Sequence, residues 1–227
     1  MADTPPIPLR LARTLVATAF EAALLAWGLG GLDALWHSPR ALALLVVWLV
    51  TGAVLTLTRP VRGQDVTRTE RDAAAMLVLA LVPLAIPAVA AWGGRLERWP
   101  LPGSEWLGAL GVALSAAGLG LRIAAMRQLG ARFSPLVALQ REHTLETTGW
   151  YAHMRHPGYT GALLASLGAA ITFGSALALP LVGVMLLAQL ARIRREETLL
   201  AEHFGPAWKA YAARTGALLP RLGAGQP

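Results

Sequence analysis

Residues 143–159 read HTLETTGWYAHMRHPGY, and this polar stretch decides how the rest of the chain is arranged. It holds three of the five histidines and two of the three tyrosines. Long apolar segments flank it on both sides. Irregular polar backbone beside apolar helices is tolerated at a membrane where it lines a cavity. The stretch is therefore a place where a membrane protein could hold a water-soluble ligand next to lipid.

The composition around this stretch is that of a helical membrane protein. The 227 residues are 55% hydrophobic and 15% charged, whereas soluble domains carry about 25% charged residues. The absence of cysteine excludes disulfides, thiolate metal sites and a cysteine nucleophile. The net charge of +7 is explained by arginines facing anionic headgroups, so we expect no nucleic-acid partner.

The apolar runs predict an all-α, polytopic transmembrane bundle with about six spans. Each run approaches the length that a helix needs to cross a bilayer. They cover residues 14–36, 41–58, 73–92, 106–126, 159–173 and 176–191. We expect one membrane domain, 1–227, with four spans in 1–126 and a polar loop, a hairpin and an amphipathic tail in 127–227. Because only Gly174 and Ser175 separate the last two runs, the predicted hairpin is tight.

The distribution of charge predicts the orientation. With the N-terminus inside, 17 of the 20 basic residues lie on the inner side, leaving only Arg40, Arg95 and Arg98 outside. Four tryptophans then fall at the outer boundary, as an aromatic belt would place them: Trp36, Trp92, Trp99 and Trp106. We therefore expect an integral protein of a bacterial inner membrane, with both termini cytoplasmic.

A second charged cluster, RIRREETLL at 192–200, continues the last span. Arg192 and Glu196 are four apart and share a helix face, which alone could be a solvated pair worth a few tenths of a kcal/mol. Charges at a membrane boundary are costly unless they are paired or used. The hairpin should bring this cluster back beside Arg155, His156 and Pro157.

Three other features have competing interpretations. The histidines could suggest a metal, but Pro157 disfavours helical geometry at His156, and we expect no metal site. Glu21, inside the first span, could be functional, could pair with Arg122, or could be protonated. The glycines at 28–31 and 118–120 indicate helix packing more than nucleotide binding.

The order of motifs resembles the isoprenylcysteine carboxyl methyltransferase family. The resemblance rests on HTLETTGWYAHMRHPGYTG, an apolar hairpin, RIRREETLLAEHFGPAWKAY and Pro220, and it covers roughly 133–220. Members are integral-membrane enzymes that use S-adenosylmethionine, and phospholipid methyltransferases are wider relatives. The resemblance therefore implies a loop that binds this cofactor on the cytoplasmic side.

The resemblance also implies roles for individual residues. Arg192 would orient the methyl acceptor, and Glu196 would lie near the amino or sulfonium end of the cofactor. Glu146 would contribute through its backbone, and Gln140 matches a cofactor-binding glutamine across a shorter loop. The remaining implied cofactor contacts are His143, Thr144, Leu145, Tyr151, His156, Pro157, Gly158 and Tyr159.

The chemistry agrees with a carboxylate acceptor. A carboxylate is ionised at pH 7, so its methylation needs positioning more than a base. An arginine can hold a carboxylate by two hydrogen bonds. An ethanolamine acceptor would need a base, which Glu197 could supply. The acceptor, a lipophilic isoprenylcysteine-like compound, is expected to enter sideways from the bilayer.

Alternatives remain open from the sequence. Within the same class they are phospholipid N-methylation and methylation of a small thiol. A non-enzymatic membrane transporter would use the two clusters only for topology and packing, and a membrane reductase would bind a nicotinamide cofactor. Membrane lipids are expected partners, and the sequence does not specify the oligomeric state.

Overall fold

The computed structural model describes residues 6–58, 66–70, 73–130, 137–140 and 144–221. Its long helices are α1 (Ile7–Leu29), α3 (Pro39–Leu57), α4 (Ala73–Arg95), α5 (Ser104–Leu129) and α7 (Leu179–Phe204). Shorter ones are α2 (Leu32–Trp36), α6 (Pro157–Ile171), α8 (Pro206–Arg214) and a 3-10 turn, Gly149–Ala152. The predicted helical bundle is therefore confirmed.

One small sheet departs from the all-α prediction. β1 (Val66–Glu70) pairs antiparallel with β2 (Val137–Gln140). The first strand contains Val66, Thr67 and Thr69, whose β-branched side chains favour extended backbone. The pairing joins segments far apart in the chain, so no local pattern could have revealed it.

Three helices are long and apolar enough to cross a membrane within the described part of the chain: α3, α4 and residues Trp106–Leu129 of α5. They coincide with the predicted spans 41–58, 73–92 and 106–126. The six-span count itself stays a prediction.

The prediction of one continuous span over 14–36 is wrong, because the helix breaks at two glycines. α1 ends at Leu29, and Gly30 has a φ of 96°. The N–H groups of Gly30 and Gly31 both bond to the carbonyl of Ala26, at 3.0 and 2.8 Å. This left-handed cap is favourable for glycine, and it redirects the chain into α2.

The connection between α6 and α7 is longer than the predicted two-residue turn, since it occupies residues 172–178. Ser175 Oγ donates to the carbonyl of Arg98 at 2.6 Å, and the N–H of Leu101 donates to the carbonyl of Gly174 at 2.8 Å. These hydrogen bonds join the α6–α7 connection to the loop between α4 and α5. α7 begins at Leu179, and Pro180 lies in its first turn, where proline is well tolerated.

Close backbone contact fixes α6 against α5. A Cβ added to Gly118 would lie 2.5 Å from the carbonyl oxygen of Gly161, and one added to Gly111 would lie 2.6 Å from that of Gly168. Ser115 Oγ also donates to the carbonyl of Ala165 at 2.9 Å. The predicted packing role is thus confirmed at Gly118, and the contact sets the position of the α6 N-terminus.

Candidate functional site

The first component of the site is the start of α6. His156 is its N-cap residue and Pro157 lies in its first turn, where the missing N–H of proline costs nothing. His156 is buried, with 5% of its surface exposed. The helix start thus presents the imidazole and, one turn later, Tyr159 towards α7.

The second component is the polar continuation of α7. Arg192 Nε donates to the Tyr159 hydroxyl at 2.6 Å, and that hydroxyl donates to Glu196 Oε2 at 3.2 Å. Arg192 is only 6% exposed, whereas the Glu196 side chain is 34% exposed. The predicted proximity of the two clusters is confirmed, and Tyr159 links the guanidinium to the carboxylate.

Glu197 forms a separate ionic cluster beside this link. Its Oε1 accepts from Arg155 Nε at 2.7 Å and lies 3.1 Å from His156 Nε2. Partial burial opposes the ionisation of Glu197, but the hydrogen bonds from His156 and Arg155 outweigh it and lower its pKa to about 2. Because an ionised carboxylate only accepts, His156 carries a proton on Nε2. Its Nδ1 then faces Glu196 Oε1 at 4.0 Å.

Residues 215–218, here called the C-terminal strap, hold this loop through hydrogen bonds to its backbone and to Thr160. The N–H groups of Arg155 and His156 donate to the carbonyls of Gly216 and Ala217 at 2.8 and 3.0 Å. Thr160 Oγ1 donates to the carbonyl of Leu218 at 2.6 Å. Arg155 Nη1 also donates to the carbonyl of Thr215. The strap thereby fixes the backbone on which His156 is mounted.

The other predicted cofactor residues lie before α6 and are tied mainly to the end of α5. The hydroxyl of Tyr151 donates to the carbonyl of Ala125 at 3.5 Å, and its own carbonyl accepts from Tyr211 at 2.7 Å. Glu146 Oε1 accepts from the N–H of Thr148 at 3.0 Å, which orders the turn after Thr144 and Leu145. Gln140 lies on β2, and its side chain is not described. His143 lies outside the described residues.

Two neighbours of the site, Arg122 and Gln189, were missed from the sequence. Arg122 Nη1 donates to the carbonyl of Gly158 at 3.0 Å. Gln189, 1% exposed, points Nε2 at the carbonyl of Tyr159 at 3.4 Å, and its Oε1 has no partner among the described residues. Both are separated from the quoted motif in sequence and gave no local signal. Arg155 was predicted to lie beside the second cluster, and its bond to Glu197 confirms that position.

Glu21 lies apart from these contacts. Its Oε2 is buried and finds no hydrogen-bond partner within the described ranges. Arg122, one of the partners considered for it, instead donates to the carbonyl of Gly158. No group of three or more His, Cys, Asp or Glu side chains in the described part of the chain is placed to hold a metal.

Sequence comparison relates this arrangement to known proteins. The model of the isoprenylcysteine carboxyl methyltransferase (ICMT) family matches residues 110–202. Protein-S-isoprenylcysteine O-methyltransferase B of Arabidopsis thaliana is 32% identical over 65% of this chain and 73% of its own length. The Schizosaccharomyces pombe protein-S-isoprenylcysteine O-methyltransferase is 35% identical over 45% of this chain and 44% of its own. That of Tribolium castaneum is 32% identical over 60% and 50%.

The fold is also found among solved structures. The structure of the eukaryotic intramembrane Ras methyltransferase ICMT matches with a TM-score of 0.59 and 21% sequence identity, over 92% of this chain and 76% of that one. This likeness shows a shared fold. The chain spans about half the length of the Schizosaccharomyces pombe and Tribolium castaneum relatives that it matches.

Proposed function

The chain belongs to the isoprenylcysteine carboxyl methyltransferase family, and from that membership we propose that it is an integral-membrane, S-adenosylmethionine-dependent methyltransferase. The favoured reaction is carboxyl O-methylation of an isoprenylcysteine-like lipophilic acceptor. The observation that carries it is the Arg192–Tyr159–Glu196 link, which sets a buried guanidinium beside a partly exposed carboxylate.

The donor set fits the proposed cofactor. Glu196 keeps a third of its side chain exposed, so its carboxylate can accept from an ammonium group or face a sulfonium. His156, Pro157, Gly158 and Tyr159 line the adjoining start of α6. We propose that these residues hold S-adenosylmethionine together with Gln140, His143, Thr144, Leu145, Glu146 and Tyr151. When bound, the cofactor supplies a methyl group made electrophilic by its sulfonium.

Arg192 is proposed to position the acceptor. Its guanidinium is held in one orientation by Tyr159. A planar guanidinium can bind a carboxylate by two hydrogen bonds. The acceptor oxygen is then positioned for in-line attack on the methyl group. Burial of Arg192 excludes water from that contact and strengthens it.

The state of Glu197 favours a carboxylate acceptor over an amine. An amine must lose a proton before or during transfer, and a base for that purpose should have a pKa near the working pH. With a pKa of about 2, Glu197 is a poor base. We therefore assign it the positioning of His156 and Arg155, and we rank phospholipid N-methylation second.

The wider setting is proposed on the same basis. One membrane domain over 1–227 would cross the bilayer six times, with both termini in the cytoplasm of a bacterial cell. The lipophilic acceptor would then reach Arg192 from the membrane while the cofactor arrives from water. Arg192 is buried where the apolar first half of α7 meets its charged second half, which supports this division.

The test is calorimetric binding of S-adenosylmethionine and S-adenosylhomocysteine to detergent-purified protein, with methyl transfer to an N-acyl prenylcysteine measured in parallel. Glu196→Gln should weaken cofactor binding, because it removes the negative charge. Arg192→Lys should keep cofactor binding and lose transfer, because lysine lacks the planar fork. Glu202→Gln and Arg194→Lys, exposed on the same helix, are the controls.

Two outcomes would change the proposal. Equal loss of cofactor binding in Glu196→Gln and Arg192→Lys would show that the roles are misassigned. A folded protein that binds neither compound would reject the methyltransferase, and binding of a nicotinamide cofactor instead would favour a reductase. If the protein moved a solute across vesicle membranes and bound no cofactor, the interpretation as a non-enzymatic transporter would be favoured.

A further inference from the structure

A cavity of about 580 Å³ opens at the end of the bundle away from Arg192. It lies where the end of α1, the start of α3, the end of α4 and the α6–α7 connection meet. Its polar wall includes Arg40, Arg95 and Ser38, and its apolar wall includes Leu29, Ala91 and Phe173. Two guanidinium groups over an apolar floor match the chemistry of an amphiphilic anion.

The position of these arginines is unusual for this chain. Only three of the 20 basic residues fall on this side of the predicted topology, and two of them line the cavity. Arg95 Nε donates to the carbonyl of Gly28 at 3.2 Å, which anchors its guanidinium at the cavity edge. Since basic residues are otherwise rare on this side, the two guanidinium groups make this cavity its most positive opening among the described residues, which suits a ligand of opposite charge.

Tryptophans place the cavity at the level of lipid headgroups. Trp27 and Trp92 stack with their ring centroids 6.3 Å apart, and Trp92 lies one turn before Arg95. Trp36, Trp99 and Trp106 are each at least 60% exposed on the same end. Aromatic rings concentrate at membrane interfaces, where phosphates lie.

The cavity is separate from the proposed methyl-transfer site. Phe173 precedes the start of α7, and the helix rises about 20 Å between Leu179 and Arg192 at about 1.5 Å per residue. A ligand bound here cannot contact Arg192 or Glu196. Its role therefore does not depend on the function proposed above.

We propose that this cavity binds the phosphate headgroup of an anionic phospholipid from the leaflet opposite the Arg192 site. Arg40 and Arg95 contact the phosphate, and Ser38 supplies a hydroxyl near it. The first acyl carbons lie against Leu29, Ala91 and Phe173. The bound lipid contacts the end of α1, the start of α3 and the end of α4. It also contacts the α6–α7 connection through Phe173.

Native mass spectrometry of the detergent-purified protein tests this proposal, with phosphatidylglycerol, phosphatidylcholine and soluble glycerol phosphate as probes. The wild type should retain phosphatidylglycerol at least about tenfold better than phosphatidylcholine. Arg40→Gln with Arg95→Gln should abolish that preference. Arg98→Gln removes the same charge on the same side without lining the cavity, and it should keep the preference.

Arg95→Gln also removes a bond to Gly28, so Arg40→Gln alone is measured beside the double variant, and helix content is checked by circular dichroism. No preference in the wild type would overturn the proposal. An equal loss in Arg98→Gln would also overturn it, because it would show a diffuse surface effect. If glycerol phosphate displaced the lipid at equal concentration, the site would belong to free phosphate compounds and not to lipid.

Discussion

Gln189 is a buried polar residue whose amide nitrogen has a hydrogen-bond partner. Its amide oxygen has none among the described residues. Its Nε2 points to the carbonyl of Tyr159 at 3.4 Å, so the opposite orientation would set two oxygens against each other. Its Oε1 is therefore fixed as an acceptor one helical turn from Arg192. A buried acceptor left without a donor costs about 1–3 kcal/mol, and a substrate N–H would remove that cost.

Gln189→Leu should consequently make the ligand-free protein as stable or more stable. If the proposed methyl transfer holds, it should also raise the KM for either S-adenosylmethionine or the lipophilic acceptor. Thermal unfolding and steady-state kinetics measure the two effects. An unchanged KM for both substrates together with a lower melting temperature would show that the amide only supports the fold.

Glu197 predicts a specific dependence of stability on pH. Its folded pKa of about 2 is below the ordinary value of 4.5, so the fold favours the ionised form. The stability that it contributes is complete above about pH 5 and is lost as the pH falls towards 2. The melting temperatures of wild type and Glu197→Gln should therefore differ most near neutrality and converge in acid. A gap that widened below pH 4 would contradict the assignment.

At the scale of elements, α5 offers a matched pair of glycines. A Cβ at Gly118 would meet the backbone of α6, whereas one at Gly120 would have nothing within 4 Å. Gly118→Ala should cost about 1–3 kcal/mol by forcing the helices apart. Gly120→Ala should gain up to about 1 kcal/mol from helix propensity. Thermal unfolding in one detergent compares them, and equal effects would exclude the close contact.

The C-terminal strap can be tested by truncation. Ending the chain after Arg214 removes the acceptors for the N–H groups of Arg155 and His156 and for Thr160 Oγ1. If these bonds contribute about 1 kcal/mol each, affinity for S-adenosylmethionine should fall by at least about tenfold. Ending the chain after Arg221 keeps every one of them and should leave binding unchanged. Undiminished binding by the chain that ends after Arg214 would show that the loop keeps its structure without the strap.

The helices that the sequence predicted well are those whose signal is local. The apolar runs of α3, α4 and α5 and the continuation of α7 through Arg192 and Glu196 could be located from composition and spacing. Gly30 and Gly31 are visible in the sequence, but they lie inside an apolar run. The run alone did not show that Gly30 adopts a left-handed conformation and ends α1 at Leu29. The α6–α7 connection could not be predicted, since it is shaped by its bonds to residues 98–101.

At the scale of the whole molecule, the two ends of the bundle should face different compartments. The chain has no cysteine, so single cysteines can be introduced without background. A membrane-impermeant maleimide should label Asp33→Cys in intact cells and label Lys209→Cys only after permeabilisation. Both positions are exposed, on α2 and α8 respectively. The reverse pattern would invert the predicted orientation.

The site as a whole combines what the sequence could and could not supply. The two motifs contain Tyr159, Arg192 and Glu196, which the structure brings into contact, and their order along the chain is distinctive. The contacts of Arg122 and Gln189 with α6 depend on which faces of α5 and α7 meet it. Those faces are set by packing, such as that of Gly118 on Gly161, and not by any repeat in the sequence.

The position of the strap after α8 affects when the site can form during synthesis of the chain. A ribosome makes the chain from its N-terminus, so the loop carrying Arg155 and His156 emerges before α7, α8 and the strap exist. Until then the N–H groups of this loop lack the carbonyls that hold them in the finished fold. At about 5–20 residues per second, the strap is made several seconds after this loop. The site should therefore be assembled late, and a chain interrupted between α6 and the strap should lie in the membrane without the affinity for S-adenosylmethionine proposed for the complete site.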